Sequence, residues 1–536
     1  MQVWKHFIKQ KGKNAMERMY ILVLALALLT GLAGLVSAAD QELRMGVYIY
    51  DYSFKKTAQA YGEELKPFVE KHFQILQKHH VNTLHLTVYR PEKNNPDFAE
   101  VWLPMLKKYG IKAYLQLDFA YYTEPSTKKK GWSPKFEDHQ AKLAAEFIRK
   151  YQNEPAILAF SIREEVPQPY AAGMARYYQK IRNGAPDFKI VTVHNNLGAA
   201  KSHPEPYPAV LGADRYCFWW EFSGEGYLAS PAFALNWLRN QSAQYQEQAA
   251  KRGADFLLVL TSNAYAMGRV NSENAWKKGK MSERIKLYTA DKRFGWNLDT
   301  VNGKEINWVW KWYRPPVNCT RAMIWTGILE GARGILFWSY QPTFPNGPKS
   351  PAEMLERSMT KRAKTKAEGS WSSMAGRPGE SNQPLEEFAA AAEELKPYSK
   401  LVCMMDKLPK SPVKTDAKKR IYNRAFEVKD CPGKIVVIHN ANVGTWGANS
   451  KVFFSDKDDI RVDGNGDLVG YTPFTGRKPV EFTCDGKDEV FDFATGKKLE
   501  LNTGKGTVEL LPGGGTVLFL GTAQDLAKLQ NMAKVN

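Results

Sequence analysis

The chain has 536 residues, a formal net charge of +19, 12% aromatic residues and 15 Trp. That length accommodates two or three domains around a large core. Cys217, Cys319, Cys403, Cys431 and Cys484 are odd in number and lack CxxC spacing, so neither a disulfide framework nor a zinc site is indicated. Only a single bridge among the last three cysteines stays open.

Lys5, Lys9, Lys11, Lys13 and Arg18 flank or precede the apolar run YILVLALALLTGLAGLV (20–36), and Val36-Ser37-Ala38 offers small residues for cleavage. This reads as a signal peptide over 1–38. The competing reading is a retained anchor, but a run of about 17 residues is at the low limit for a membrane span. No Cys follows the cut, which argues against a lipoprotein. A periplasmic or secreted protein with no stable membrane anchor after cleavage is expected.

From residue 44 the pattern alternates. RMGVYIYDY (44–52) reads as a strand and 63–80 as an amphipathic helix; VNTLHLTVYR (81–90) is a strand and DFAEVWLPMLKKYG (97–110) a helix ending on Gly. KAYLQLDFAYY (112–122) is the third strand, FEDHQAKLAAEFIRKY (136–151) a helix, and ILAFSIREE (157–165) the fourth strand, with a helix over 170–183. FKIVTVHNN (188–196) and VLGADRYCFWW (210–220) are the fifth and sixth strands. A helix over 231–252 leads to DFLLVLTSNAY (255–265), and a helix over 316–330 leads to ILFWSY (335–340). Strands separated by helices pair in parallel through right-handed crossovers. Eight such units match a (β/α)8 TIM barrel. A doubly wound open sheet is the runner-up, weakened because no Gly-rich phosphate loop follows the first strand.

PLEEFAAAAEELKPY (384–398) reads as a closing helix. Beyond about 412, short alternating segments such as KIVVIHNA (434–441), EVFDFATG (489–496) and TVLFLG (516–521) are separated by Gly, Asp and Asn turns. They predict a small antiparallel β-sandwich. The division is therefore signal peptide 1–38, barrel 39–400, sandwich 401–522 and tail 523–536.

In such barrels the chemistry lies at the C-terminal ends of the strands. Those ends offer Asp51; Tyr89; Asp118 and Tyr121; Glu164 and Glu165; His194, Asn195 and Asn196; Trp219, Trp220 and Glu221; Asn263 and Tyr265; and Trp338 and Tyr340. Carboxylates and amides take hydroxyl hydrogen bonds and aromatic faces take C–H edges, so this rim suits a carbohydrate. His194 has no spaced partner of metal-ligand type. No metal and no cofactor are expected, and no GxSxG signature points to a serine nucleophile.

The stretch PAILAFSIREEVP (155–167) resembles the fourth-strand motif of clan A glycoside hydrolases and their β-galactosidase-like relatives: an apolar strand, then Asn/Asp-Glu, often then Pro. RAMIWTGILEGARGILFWSYQP (321–342) is similar to the eighth unit of those barrels, where a Trp often closes the strand. The resemblance covers roughly 44–400. It implies that Glu165 is the general acid/base and that Glu164 occupies the place of the Asn or Asp before it. A neighbouring carboxylate would help raise the acid's pKa, although adjacent residues on a strand point to opposite faces. The bland reading of Glu165 is a rim residue paired with Arg163 or a lysine.

The sequence departs from the family at the second acid. The family's nucleophile ends strand seven, where this chain has Thr261-Ser262-Asn263-Ala264-Tyr265. Glu221 is the substitute expected here, with Asp118, Asp51 and Glu273 or Glu283 of the seventh loop as the alternatives. The competing class is a non-catalytic carbohydrate-binding protein on a degenerate hydrolase barrel. The loop over 122–136 has four Lys and one acid, that over 265–314 eleven basic and five acidic residues, and that over 341–382 seven basic and four acidic. Positive charge beside a cleft focuses an anion, so an acidic glycan is expected, with a solvated lysine-rich surface as the alternative. Nucleic acid is not expected, because an export signal is present and nucleic-acid-binding signatures are not evident.

Overall fold

The computed structural model describes residues 42–89, 96–118, 134–166, 168, 171–203, 205–217, 219–221, 231–262, 264–269, 298–301, 304–313, 315–343, 345, 374–375, 382–446, 471–485 and 488–534. The signal segment, most of the three basic loops, Tyr121 and Asn263 lie outside them, as do the side chains of Tyr89, Asp118, Trp219, Trp220, Glu221 and Tyr265.

Eight parallel strands form one sheet: β1 (Arg44–Tyr50), β2 (Thr83–Tyr89), β3 (Lys112–Asp118), β4 (Ile157–Ser161), β5 (Val191–His194), β6 (Val210–Asp214), β7 (Asp255–Thr261) and β8 (Gly334–Trp338). Their order is β4-β3-β2-β1-β8-β7-β6-β5, and a parallel bridge between Phe160 and Ile190 closes the ring. The result is a (β/α)8 barrel.

The strands are near-continuous apolar runs because both of their faces are buried. Alternate side chains still separate. Val47, Ile49, Leu84, Leu86, Leu115 and Phe337 join the layer shared with the helices. Tyr48, Tyr114, Val193, Val210, Val259 and Leu336 fill the interior. At Gly46 a Cβ would sit 1.8 Å from the Thr83 carbonyl oxygen, so only glycine lets β1 approach β2 this closely.

Several strands end earlier than the sequence reading: β4 stops at Ser161, β7 at Thr261, with Tyr265 in a separate sheet, and β8 at Trp338. β1 stops at Tyr50, and Asp51 opens the helix Asp51–Tyr61. β6 stops at Asp214 rather than running on to Trp220. The Arg215 amide bonds to the Val259 carbonyl at 2.8 Å, and its guanidinium turns to the Asn195 carbonyl and the Tyr245 hydroxyl. The chain then leaves the barrel. Trp219–Glu221 pairs with Ala264–Arg269 in a separate sheet of order Leu298–Val301, Lys304–Tyr313, Ala264–Arg269, Trp219–Glu221.

The C-terminal part is antiparallel. A five-stranded sheet (Met405–Lys407, Ile421–Val428, Cys431–Asn440, Gly515–Gly521, Glu489–Asp492) faces a three-stranded one (Val413–Thr415, Lys478–Cys484, Lys505–Leu510). Val436, Ile438, Phe482, Leu510 and Leu518 form the core between them. The other face of the larger sheet, with Phe426, Val437 and Phe519, packs into the barrel's outer core.

Helix Cys319–Leu329 carries the seam along its whole length. At its start, Asn318 donates to the Val443 and Phe474 carbonyls at 3.1 and 3.0 Å. Just past its end, the buried Glu330 meets Lys407 at 2.6 Å and Arg424 at 3.3 Å. The five cysteines are free thiols.

Candidate active site

The alternation along the strands decides what reaches the barrel mouth. On β1 it turns Tyr48 inward. On β6 it turns Val210 inward and, two and four residues on, Gly212 and Asp214. Asp214 is thus the last inward residue of its strand.

Beyond β4 the alternation is broken. Glu165 has φ 51°, the left-handed region that a non-glycine residue rarely enters, and its amide bonds to the Val193 carbonyl at 2.8 Å. The turn lets two adjacent carboxylates serve one mouth instead of opposite faces.

Glu164 reaches into the barrel, and its side chain is 17% exposed. Its Oε1 accepts from the Tyr48 hydroxyl at 3.0 Å and lies 2.8 Å from His85 Nε2. The His85 ring is fully buried and stacks on Tyr48, with centroids 4.0 Å apart. Burial first, and then the charge of Glu164, raises the phenols of Tyr48 and Tyr50 well above the ordinary tyrosine range. Both therefore stay protonated as donors. Trp338 Nε1 donates to the Tyr50 oxygen at 2.8 Å, and the Trp338 ring stacks on Tyr216 at 5.6 Å.

Asp214 is the carboxyl that sequence reasoning missed. Burial is the main cause that lifts it well above the usual carboxylate range; a hydrogen bond with Glu165 comes next, then the charges of Glu165 and Glu164. Its Oδ1 is buried without a hydrogen-bond partner. Glu165 is exposed beside it. Asp214, buried beside the charges of Glu165 and Glu164, is thus the carboxyl of the three that keeps a proton. The sequence carried no signal for Asp214, because both faces of a parallel strand are buried and hydropathy does not show which of its residues point inward.

The remaining rim candidates divide. Trp338 belongs to the cluster. His194 faces the helix layer, where its Nε2 lies 3.2 Å from His203 Nδ1. Burial lowers these imidazoles to about 4 and about 3. Asn196 caps the helix Leu197–Lys201, accepting from the Gly198 and Ala199 amides at 2.7 and 3.2 Å. Asn195 is exposed and gives its carbonyl to Arg215. Tyr340 is fully buried away from the mouth, its hydroxyl 2.9 Å from His72 Nδ1. Asp51 is 3% exposed at its helix start. Among the described residues no cluster of His, Cys, Asp or Glu has metal-binding form, and no helix is long and apolar enough to cross a membrane.

No protein-family model matches the chain, and no curated protein matches it. Similar solved structures include a GH30 endoxylanase from Clostridium papyrosolvens C71, at 11% identity and TM-score 0.37, covering 90% of this chain and 97% of that one. A family 5 mannosidase from Rhizomucor miehei aligns at 10% identity and TM-score 0.40, covering 66% of this chain and 93% of that one. An alpha-amylase from Geobacillus thermoleovorans aligns at 10% identity and TM-score 0.43, covering 90% and 99%. By its own strand order, the chain is a (β/α)8 barrel followed by a β-sandwich-like domain, with three carboxyl groups gathered at the ends of β4 and β6.

Proposed function

We propose that the protein is an exported glycoside hydrolase that cleaves an acidic poly- or oligosaccharide by carboxyl acid/base catalysis. The observation that carries this reading is the gathering of Glu164, Glu165 and the buried, protonated Asp214 at one barrel mouth, with Glu164 held by Tyr48 at 3.0 Å and His85 at 2.8 Å. Glycoside cleavage needs a carboxyl that keeps a proton for the leaving oxygen. It also needs a second carboxylate facing the positive charge that develops at the anomeric carbon.

Glu165, the exposed member of the three, delivers the proton to the leaving oxygen. Asp214, which burial keeps protonated, stands beside it. Glu164, oriented by Tyr48 and His85, is the second carboxylate. Glu221, expected in that role, has its side chain outside the described residues. Tyr50, Trp338 and Tyr216 supply donors and ring faces for the sugar. The acidic character of the substrate rests on the basic loops, and export rests on the 1–38 segment.

The test is reducing-sugar release from neutral, uronic and sulfated glycans by wild type, Glu165→Gln and Asp214→Asn. Wild type should act on an acidic glycan, and Glu165→Gln should lose about 10²–10⁴-fold. Asp214→Asn, which removes the buried carboxyl beside Glu165, should lower the rate at least about tenfold. If folded wild type releases nothing from any glycan, hydrolysis is refuted. The non-catalytic carbohydrate-binding reading, motivated by a β7 that ends without an acid, would then replace it.

A further inference from the structure

Helices of a (β/α)8 barrel begin on the side where the preceding strands end. Pro231 and Ala232, which open the helix Pro231–Ala250, therefore belong to the face that carries Glu164, Glu165 and Asp214. There the seam between barrel and sandwich opens into a pocket of about 480 Å³, and the sandwich turn Ala417–Lys419 brings Lys418, Lys419 and Arg420 to its wall. Asn442, Thr445 and Phe474 complete that wall, and no carboxylate is among the described lining residues. Lys418 and Lys419 are exposed.

The wall is held in place from behind. Asp416 Oδ1 accepts from the Lys418 and Lys419 amides at 3.0 and 3.4 Å. The Ala441 amide bonds to the Arg420 carbonyl, and the Phe474 amide to the Val443 carbonyl, both at 3.0 Å. Asn318 and the Tyr471 hydroxyl, which donates to the Val317 carbonyl at 2.9 Å, tie the same segments to the barrel. The pocket is therefore formed before any ligand arrives, and its size is that of a small-molecule site.

We propose that this pocket is a second saccharide site, which binds an acidic sugar unit of a chain whose other end lies in the barrel mouth. Three cations suit a carboxylate or sulfate group, the Phe474 ring suits a pyranose face, and Asn442 and Thr445 suit hydroxyls. That the anion is carried by a sugar rests on the function proposed above.

The test is calorimetric titration with uronic, sulfated and neutral hexasaccharides and with single-stranded DNA of matched charge. Wild type is compared with Lys418→Glu/Lys419→Glu and with Phe474→Ala. An acidic hexasaccharide should bind wild type, and the charge-reversed variant should bind it at least about fivefold more weakly. Phe474→Ala should also weaken it, and cleavage of a chromogenic monosaccharide should be unchanged in both variants. Equal binding by all three proteins overturns the proposal. So does the absence of any acidic-glycan binding, or DNA binding as tight as the sugar with Phe474→Ala silent. Acidic-glycan binding that is lost in the variants, in a protein that cleaves nothing, keeps the pocket and removes the hydrolase reading.

Discussion

Acidification should loosen the barrel–sandwich seam through His439. The residue is fully buried between the Cys431–Asn440 strand and the helix Cys319–Leu329. Its Nδ1 lies 3.0 Å from the Gly514 carbonyl and its Nε2 3.2 Å from the Thr326 hydroxyl. A neutral ring donates from Nδ1 to the Gly514 carbonyl, while the single hydroxyl hydrogen of Thr326 goes to the Ala322 carbonyl at 2.7 Å. Burial is the main cause that lowers its pKa from 6.5 to about 4.

The direction of the pH effect follows from this depression. The unfolded imidazole takes a proton below about pH 6.5 while the folded one refuses it until about pH 4. Stability from this residue is complete above the higher value and lost as pH falls across the window. The slope is about 1.4 kcal/mol per pH unit, or about 2 kcal/mol between roughly pH 6.5 and 4.5. His72, His194 and His203 are depressed in the same way, so wild type should fall more steeply than this. Urea unfolding across that pH range, with wild type beside His439→Gln, isolates the residue. The variant should start less stable and lose about 2 kcal/mol less on acidification. Parallel curves for the two proteins would refute the reasoning.

Lys407→Met should destabilise by about 2–3 kcal/mol in urea unfolding, because it leaves the fully buried Glu330 with Arg424 alone. Tyr340→Phe should cost about 1–3 kcal/mol by the same measurement, since His72 Nδ1 loses its partner 2.9 Å away inside the core. Gly46→Ala should prevent soluble expression or unfold at markedly lower denaturant, because its Cβ would lie 1.8 Å from the Thr83 oxygen on the neighbouring strand. Tyr48→Phe removes a donor to Glu164 at 3.0 Å and should lower kcat about tenfold or more while thermal unfolding changes little.

The eight barrel strands were legible because their signal is local: apolar runs of strand length, most of them followed by a helical period. Glu164 and Glu165 were legible for the same reason, standing where an apolar run ends. The phase of each strand was not legible. In a parallel strand both faces are buried, so hydropathy does not say which side chains point inward. His194 therefore read as a rim residue and proves to face His203 in the helix layer, and Tyr340 read as rim and proves to bond His72 in the core.

Asp214 shows the deeper limit. Nothing near it in the chain marks it as a carboxyl that keeps its proton. That property comes from burial and from Glu165, 49 residues earlier and on another strand. It also needs β6 to end at Asp214, which depends on Arg215 finding Val259, Asn195 and Tyr245 across the fold. The sequence by itself determined the strands, their parallel order and the acidic pair that follows β4. Only the tertiary structure decided which carboxyls meet, because a retained proton depends on desolvation and distance, and neither is a property of a residue and its neighbours in the chain.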